Sequence, residues 1–384
     1  MANTLEEKNS RHTPKTTTHR PTFPADPQNK SRLFQHFPQE LRDKIYSHIF
    51  HSIRLTYGQR AVDRIDRMKI KPQSIVAILQ TCRRTNQEIG KTWIGQVSFS
   101  FENPETMLDV LTALPTRTLS KLRHLRVPGD TLMLSYEDDD VYYRLASTLR
   151  LLPCLRLDTL TVLGTPPIEV SYDTLNGLIS ESCGWKELRY ISHSSEVLGF
   201  ARLGLLHSDD EAEKYTYWRK PQPAHWQSVL EGRDGVLSRP SIAIYRSTVS
   251  GRPGSAMNAK TGERFQQKIP EHIGTLEAFG ITEDAGLVAD GERDKEMIFI
   301  IKRGAGVDYE QKIDSPFIES DIRRDMPGNS WKEIRYECIN HIVANDDDLL
   351  LGYNEEDDEF AEIDPYEDVN YYVWPPLYHF MTEW

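Results

Sequence analysis

The residues best suited to chemistry in this chain are scattered, and their spacings do not match the reactions they could serve. Gly304-x-Gly306 follows the apolar run Met297–Ile301, the place where a glycine loop could cradle a phosphate. The third glycine position of that pattern is Tyr309 and no helix signal follows, so the segment reads as a turn. Gly251-Arg-Pro-Gly254-Ser255 lacks the Gly-x-Ser-x-Gly order of a nucleophile elbow. His193 and Glu196 lie three apart, a pair that reads as a surface contact, and no His-Glu-x-x-His occurs. Cys82, Cys154, Cys183 and Cys338 are far apart and fit no zinc or disulfide spacing, so they read as small apolar residues in a reducing compartment. Thirteen carboxylates lie between His341 and Trp384, but a charged run of this kind cannot hold the fixed geometry that catalysis or a calcium loop requires. The expectation is a protein that is not an enzyme, with no catalytic residue, no cofactor and no metal.

The elements that would position a site are clearer. Pro38 suits the first position of a helix, because its missing N–H would lack a partner there. Glu40 puts a carboxylate in the first turn, where the helix dipole favours it. Leu41, Ile45 and Ile49 then recur every four residues, flanked by Phe37 and Phe50. That stripe is expected to be buried against something, at roughly 1.5–3 kcal/mol per covered side chain. A second helix is expected from Ser74 to Ile89, with Ile75, Ile78, Leu79, Cys82, Asn86 and Ile89 along one face and Gly90 as a stop. Two short helices cannot enclose a core alone, so they need a third element or a partner.

These residues resemble the F-box, and more closely the F-box-like proteins abundant in filamentous fungi. The resemblance rests on Phe37–Tyr46, Leu79–Arg83 and the short aromatic strand Val97–Phe101. It covers about a sixth of the chain, on the order of one small module. Phe37 stands where leucine is usual, and residues 51–72 form a basic insertion carrying Arg54, Arg60, Arg64, Arg67, Lys69 and Lys71. The resemblance implies binding to the small adaptor of an SCF-type ubiquitin ligase. Phe37, Pro38, Leu41, Ile45 and Ile49 would carry that contact, with Leu79 and Cys82 supporting it. It also implies a downstream domain that selects a client protein. The other reading is a stand-alone scaffold whose helical module only caps the fold.

Downstream, a loose motif recurs. Leu122-Arg-His-Leu125-Arg-Val127, Leu157-Asp-Thr-Leu160-Thr-Val162 and the degraded Trp185–Ile191 each read as a short strand, after an alternating strand at Val97–Phe101. Helices are expected in the gaps: one opened by Asn103-Pro104-Glu105, one marked by Val141, Leu145, Leu149 and Leu152, one by Leu175, Leu178 and Ile179. Strand–helix–strand order favours parallel strands with right-handed crossovers. Such strands resemble irregular leucine-rich repeats, with an ordinary open α/β sheet as the alternative. Pro223–Gly232 reads as a short helix with a glycine stop, Ile242–Tyr245 and Met297–Ile301 as strands, 250–275 as a long loop or hairpin, and Trp331–Ile342 as either helix or strand.

The expected fold class is therefore α/β. A disordered segment, 1–32, precedes an F-box-like helical module, 33–95. An irregular leucine-rich-repeat-like β/α solenoid, 96–344, follows, and then an acidic tail with an aromatic end, 345–384. The net charge of −12 over 384 residues is concentrated in that tail, so the rest of the chain is close to neutral. No basic stripe with stacking aromatics appears, so no nucleic-acid partner is expected. No apolar run approaches the ~20 residues of a membrane span, and the opening residues lack the apolar stretch of a secretory signal. Cytoplasm or nucleus is the expected location.

Overall fold

The computed structural model describes residues 31–61, 67–69, 78–81, 83–90, 92–136, 139–165, 168–199, 224–266, 284–318 and 320–338. The expectations for most of 1–32 and for 345–384 lie outside these residues, as do Cys82 and residues 74–77 of the second helix. The elements run α1 (Arg32–His36), α2 (Gln39–His51), β1 (Arg54–Tyr57), β2 (Gln59–Ala61), β3 (Arg67–Lys69), α3 (Ile78–Thr81), α4 (Arg83–Ile89), β4 (Ser98–Phe101), α5 (Pro104–Thr112), α6 (Thr116–Leu119), β5 (His124–Pro128), β6 (Leu132–Tyr136), β7 (Asp139–Tyr143), α7 (Leu145–Thr148), β8 (Leu157–Leu163), α8 (Ile168–Ser180), β9 (Trp185–Ser192), α9 (Ala224–Asp234), β10 (Ser241–Ser250), β11 (Gly262–Phe265) and β12 (Lys295–Lys302). The last described helix covers 331–338.

The protein is mixed α/β, built on an eight-stranded sheet of order β1-β4-β5-β8-β9-β12-β10-β11. The first five strands are mutually parallel and lie in chain order. The last three pair antiparallel. β1, inside the segment read as an insertion, pairs with β4 and so extends the main sheet from the helical module.

Register places the recurring leucines side by side. Leu55, Phe99, Leu125, Leu160, Leu188, Ile301 and Ile242 form one row across the sheet. Val127, Val162, Tyr190, Phe299, Ile244 and Phe265 form the next row on the same face. Side chains two apart along a strand share a face, so this face is apolar in both rows. It packs into one core with Met107, Leu108 and Leu111 of α5, Leu175 and Leu178 of α8, and Trp226 and Leu230 of α9. Tyr46, Phe50 and Ile89 of the helical module belong to the same core. α5 forms as its cap predicts: the Asn103 side chain accepts from the Thr106 N–H at 2.7 Å and Pro104 opens the helix.

The strands β5 and β8 are each followed directly by a glycine, for one reason. A Cβ on Gly129 would lie 3.1 Å from the Leu163 carbonyl oxygen, and one on Gly164 would lie 3.1 Å from that of Ile191. Each amide donates to that same carbonyl at 2.6 Å, so the backbone must approach closely there.

Several sequence expectations shift. Val141 lies in β7, opposite Leu134 in a hairpin, and not on a helix with Leu145. Its neighbours Tyr142 and Tyr143 favour a strand, and α7 is only four residues long before a tighter turn at Leu149–Leu151. α9 runs past Gly232, whose added Cβ would meet nothing within 4 Å; it stops at Gly235, where φ is +83°. Helical spacing wins at 331–338, with Trp331, Ile334 and Cys338 all buried. β12 is buried on both faces, as its continuous apolar run requires, but both of its neighbours are antiparallel. Its second face is covered by the turn after β10. There Ile298 meets Leu163, Ile191 and Ala256, and the buried Glu296 carboxylate accepts from the Gly254 and Ala256 amides at 2.6 and 2.9 Å. Cys154 and Cys183 are half-buried and Cys338 is buried, all three as free thiols. Gly304–Gly306 forms a turn.

Candidate docking surface

α2 begins at Gln39, one residue later than the proline pattern suggests. Pro38 sits in an extended conformation just before it, and its carbonyl accepts from the Leu41 and Arg42 amides, both at 3.1 Å. Successive residues of a helix point about 100° apart, so a stripe one residue on faces elsewhere. The face that α2 buries is Arg42, Tyr46 and Phe50, at 5%, 4% and 0% exposure. Of the stripe Leu41, Ile45 and Ile49, expected to be buried against a third element or a partner, Ile49 packs against the chain's own core and Leu41 does not. Leu41 is 45% exposed and Phe37 42%, while Ile45 and Ile49 are half-buried.

Charge explains the rotation. Hydrophobicity alone would not bury Arg42, but Glu88 on α4 receives it with two hydrogen bonds, from Nε at 3.0 Å and from Nη2 at 2.8 Å. Arg42 also donates to the Phe37 carbonyl at 2.5 Å and to Gln39. Glu88 accepts further from Tyr46 Oη at 3.2 Å and Arg84 Nε at 3.1 Å. Burial pushes the Glu88 carboxyl up, but the bonds from Arg42 and Arg84 outweigh it and hold the group below its usual range. The same bond to Glu88 raises the Arg42 guanidinium further. Phe34 of α1 lies under both cations, 4.3 Å from Arg84 and 5.4 Å from Arg42. At the far end of α2, the Phe50 and Trp93 rings stand 6.5 Å apart.

α1, α2 and α4 are thus pinned together through one carboxylate. The pinning leaves Phe37, Leu41 and part of Ile45 as an apolar ridge facing outward, with Pro38 also exposed at its start. Leu79 lies half-buried against the core. The structure therefore groups Phe37, Pro38, Leu41 and Ile45 on one open surface, sets Ile49 and Leu79 at the core's edge, and does not describe Cys82. The residues that sequence reading missed are Arg42, Tyr46 and Glu88. Their only advance signal is the four-residue spacing Arg42, Tyr46, Phe50.

His51 closes α2 beside His124 of β5, with ring centroids 6.0 Å apart. Burial first, and then the neighbouring His51, Arg189 and Arg123, push the His124 imidazole down to about 4, against a smaller opposing pull from Asp158. The unfolded chain therefore binds the proton first as pH falls. The stabilisation from neutral His124 is complete above about pH 6.5 and is lost as pH falls towards 4. Lowering the pH from 7 to 5 is expected to cost on the order of 1–2 kcal/mol through this group, allowing for its partial exposure. Urea denaturation at the two pH values, for the parent and for His124→Gln, checks this: the variant should be flatter, and equal slopes would remove His124 from the account.

Among the described residues no three His, Cys, Asp or Glu side chains converge as a metal site would require. Among them no helix is long and apolar enough to cross a membrane. No family model, curated protein or solved structure matches the chain. The class that the coordinates define is a mixed α/β protein with a mostly parallel sheet and a two-faced helix at its amino-terminal end.

Proposed function

We propose that the chain is a non-catalytic interaction protein, in which the helical module 33–95 docks the adaptor of an SCF-type ubiquitin ligase and the sheet domain holds a client. The observation that carries this reading is the open ridge: Phe37, in the turn before α2, is 42% exposed, and Leu41 is 45% exposed on a helix whose other face is locked into the core. A helix that served only as a cap would turn its largest apolar side chains inward. Tyr46 and Phe50 already provide that cap, so docking and capping fall to different faces of α2.

The order of the five parallel strands, their shared leucine row and their helices on one side support an irregular leucine-rich-repeat-like stack. The antiparallel strands β12, β10 and β11 would end it. A stable interface buries on the order of 1,600 Å², so the ridge must act with neighbouring residues. Exposed apolar anchors of this kind carry about 2 kcal/mol or more each when centrally seated.

Co-purification with recombinant adaptor tests the reading. The parent should retain the adaptor, whereas Phe37→Asp and Leu41→Asp should lose it by roughly thirtyfold or more each, with their thermal midpoints close to the parent's. A parent that does not bind, with both variants folded, would leave only the scaffold.

A further inference from the structure

The turn after α9 holds two large aliphatic side chains in open water. It covers Val236–Ser238, and Val236 is 66% and Leu237 97% exposed. Single exposed leucines are common on protein surfaces. This turn differs in how firmly it is built. Gly235 enters it at φ +83°, and Arg239 leaves it at φ +56°, a left-handed conformation that residues with a side chain rarely adopt. The Ser238 and Arg239 amides donate to the Gly235 and Val236 carbonyls, both at 3.1 Å, and Ser238 Oγ donates to the Gly235 carbonyl at 2.7 Å. The Ala305 amide donates to the Ser238 carbonyl at 2.7 Å, which ties the turn to the chain just after β12. Its base is the buried Asp234–Arg303 pair. A Cβ added at Gly232, Gly235 or Gly306 would meet nothing within 4 Å, so the tip stands clear of the chain around it.

Cations stand behind the tip. Arg239 is exposed at its exit. Ser241, two residues on, pairs with Lys302, which is also exposed. The Lys186 carbonyl accepts from the Arg303 amide at 2.9 Å, which brings exposed Lys186 to the same end of the sheet. The neighbouring carboxylates are already engaged. Asp234 holds Arg303 at 2.7 Å, Glu231 accepts from Gln227 at 2.8 Å, and Glu187 holds Arg189 at 2.5 Å while reaching Lys302 only at 3.9 Å. Among the described residues, Arg239 and Lys186 form no ion pair. Composition says what such a tip fits. Hot spots for protein partners favour Trp, Tyr and Arg and disfavour Leu and Val. A convex aliphatic pair backed by cations suits the boundary of an anionic bilayer, where apolar side chains enter the acyl region and Lys and Arg stay among the headgroups. Lying on a bilayer needs no helix that crosses it. The net charge of −12 opposes approach from afar, so the attraction is local, within a screening length of about 8 Å.

We propose that the Val236–Leu237 tip is a reversible contact for an anionic lipid surface, with Arg239, Lys186 and Lys302 at the headgroups. This proposal does not depend on adaptor binding. β10, which follows the tip, stands six strands from β1, about 29 Å across the sheet.

Flotation of the full chain with lipid vesicles tests it. The parent should bind phosphatidylcholine vesicles that carry about 30% phosphatidylserine, and bind pure phosphatidylcholine about tenfold more weakly. Val236→Ser with Leu237→Ser should cut binding to the anionic vesicles roughly tenfold or more. Arg239→Gln with Lys186→Gln should cut it about tenfold, and the parent's binding should weaken severalfold between about 50 mM and 500 mM salt. All four side chains are exposed, so the thermal midpoints of both variants should match the parent's. No binding by the parent, equal binding to the two kinds of vesicle, or binding that either pair of substitutions leaves unchanged overturns the proposal. A photocrosslinker at position 237 that labels protein and not lipid, in cell extract containing the same vesicles, overturns it in favour of a protein pocket.

Discussion

Asp234→Ala is expected to destabilise the fold by about 3–5 kcal/mol. Asp234 and Arg303 are 0% and 4% exposed at their side chains. The guanidinium meets the carboxylate through Nε at 2.8 and 2.9 Å and through Nη2 at 2.7 Å. The Gly304 amide adds a bond to the same carboxylate at 2.8 Å. Burial pushes the Asp234 carboxyl up, but Arg303 and Gly304 outweigh it and keep the group ionised below its usual range. The pair fastens the end of α9 to the end of β12, and Arg303 also lies over the Trp185 ring at 5.6 Å. Removing the carboxylate strands a buried cation, which costs more than the pair itself contributes. The sign with pH follows from the depressed carboxyl: its stabilisation is present above about pH 4 and is lost as pH falls through the folded value. The deficit of the variant should therefore shrink in acid. Urea midpoints at neutral pH and near pH 3 measure both, and a loss under about 1 kcal/mol at neutral pH would contradict the assignment.

Phe50→Ala is expected to cost a similar amount, about 3–5 kcal/mol, whereas Leu41→Asp should cost under about 1 kcal/mol. Phe50 is fully buried at the join between α2 and the main core, next to Ile53, which leads directly into β1. Truncation leaves a void that the surrounding sheet can only partly close. Leu41 stands nine residues earlier on the outward face and packs little against its own chain. Equilibrium unfolding of both variants reads the contrast. Comparable losses would mean that α2 has one structural face and no free one.

Much of the architecture was legible before any coordinates. The spacing of Leu125, Leu160 and Leu188 marks strands, and register sets these leucines opposite one another. Asn103-Pro104-Glu105 announces α5 because cap chemistry is local. Three things were not legible, and each depends on long-range pairing. The first is the antiparallel end of the sheet, since β12 inserts between β9 and β10 from a point more than a hundred residues after β9. The second is β1, hidden in a basic segment until β4 offers a partner. The third is the buried face of α2, where Arg42 reads as solvent-facing until Glu88 is placed beside it, 46 residues on. Sequence reasoning named Phe37, Pro38 and Leu41, which the structure leaves exposed, but it missed Arg42 and Tyr46 as the face that α2 buries.

The open ridge favours the docking reading, because a cap alone would bury the whole apolar face of 37–50, whereas Phe37 and Leu41 stay exposed. Hydroxyl-radical footprinting of Phe37 and Leu41, in the chain alone and with adaptor, tests this most directly. The account predicts ready oxidation of both residues in the isolated protein and strong protection in the complex, with Phe50 unmodified throughout. Unreactive Phe37 and Leu41 in the isolated chain, or oxidation that the adaptor leaves unchanged, would contradict it.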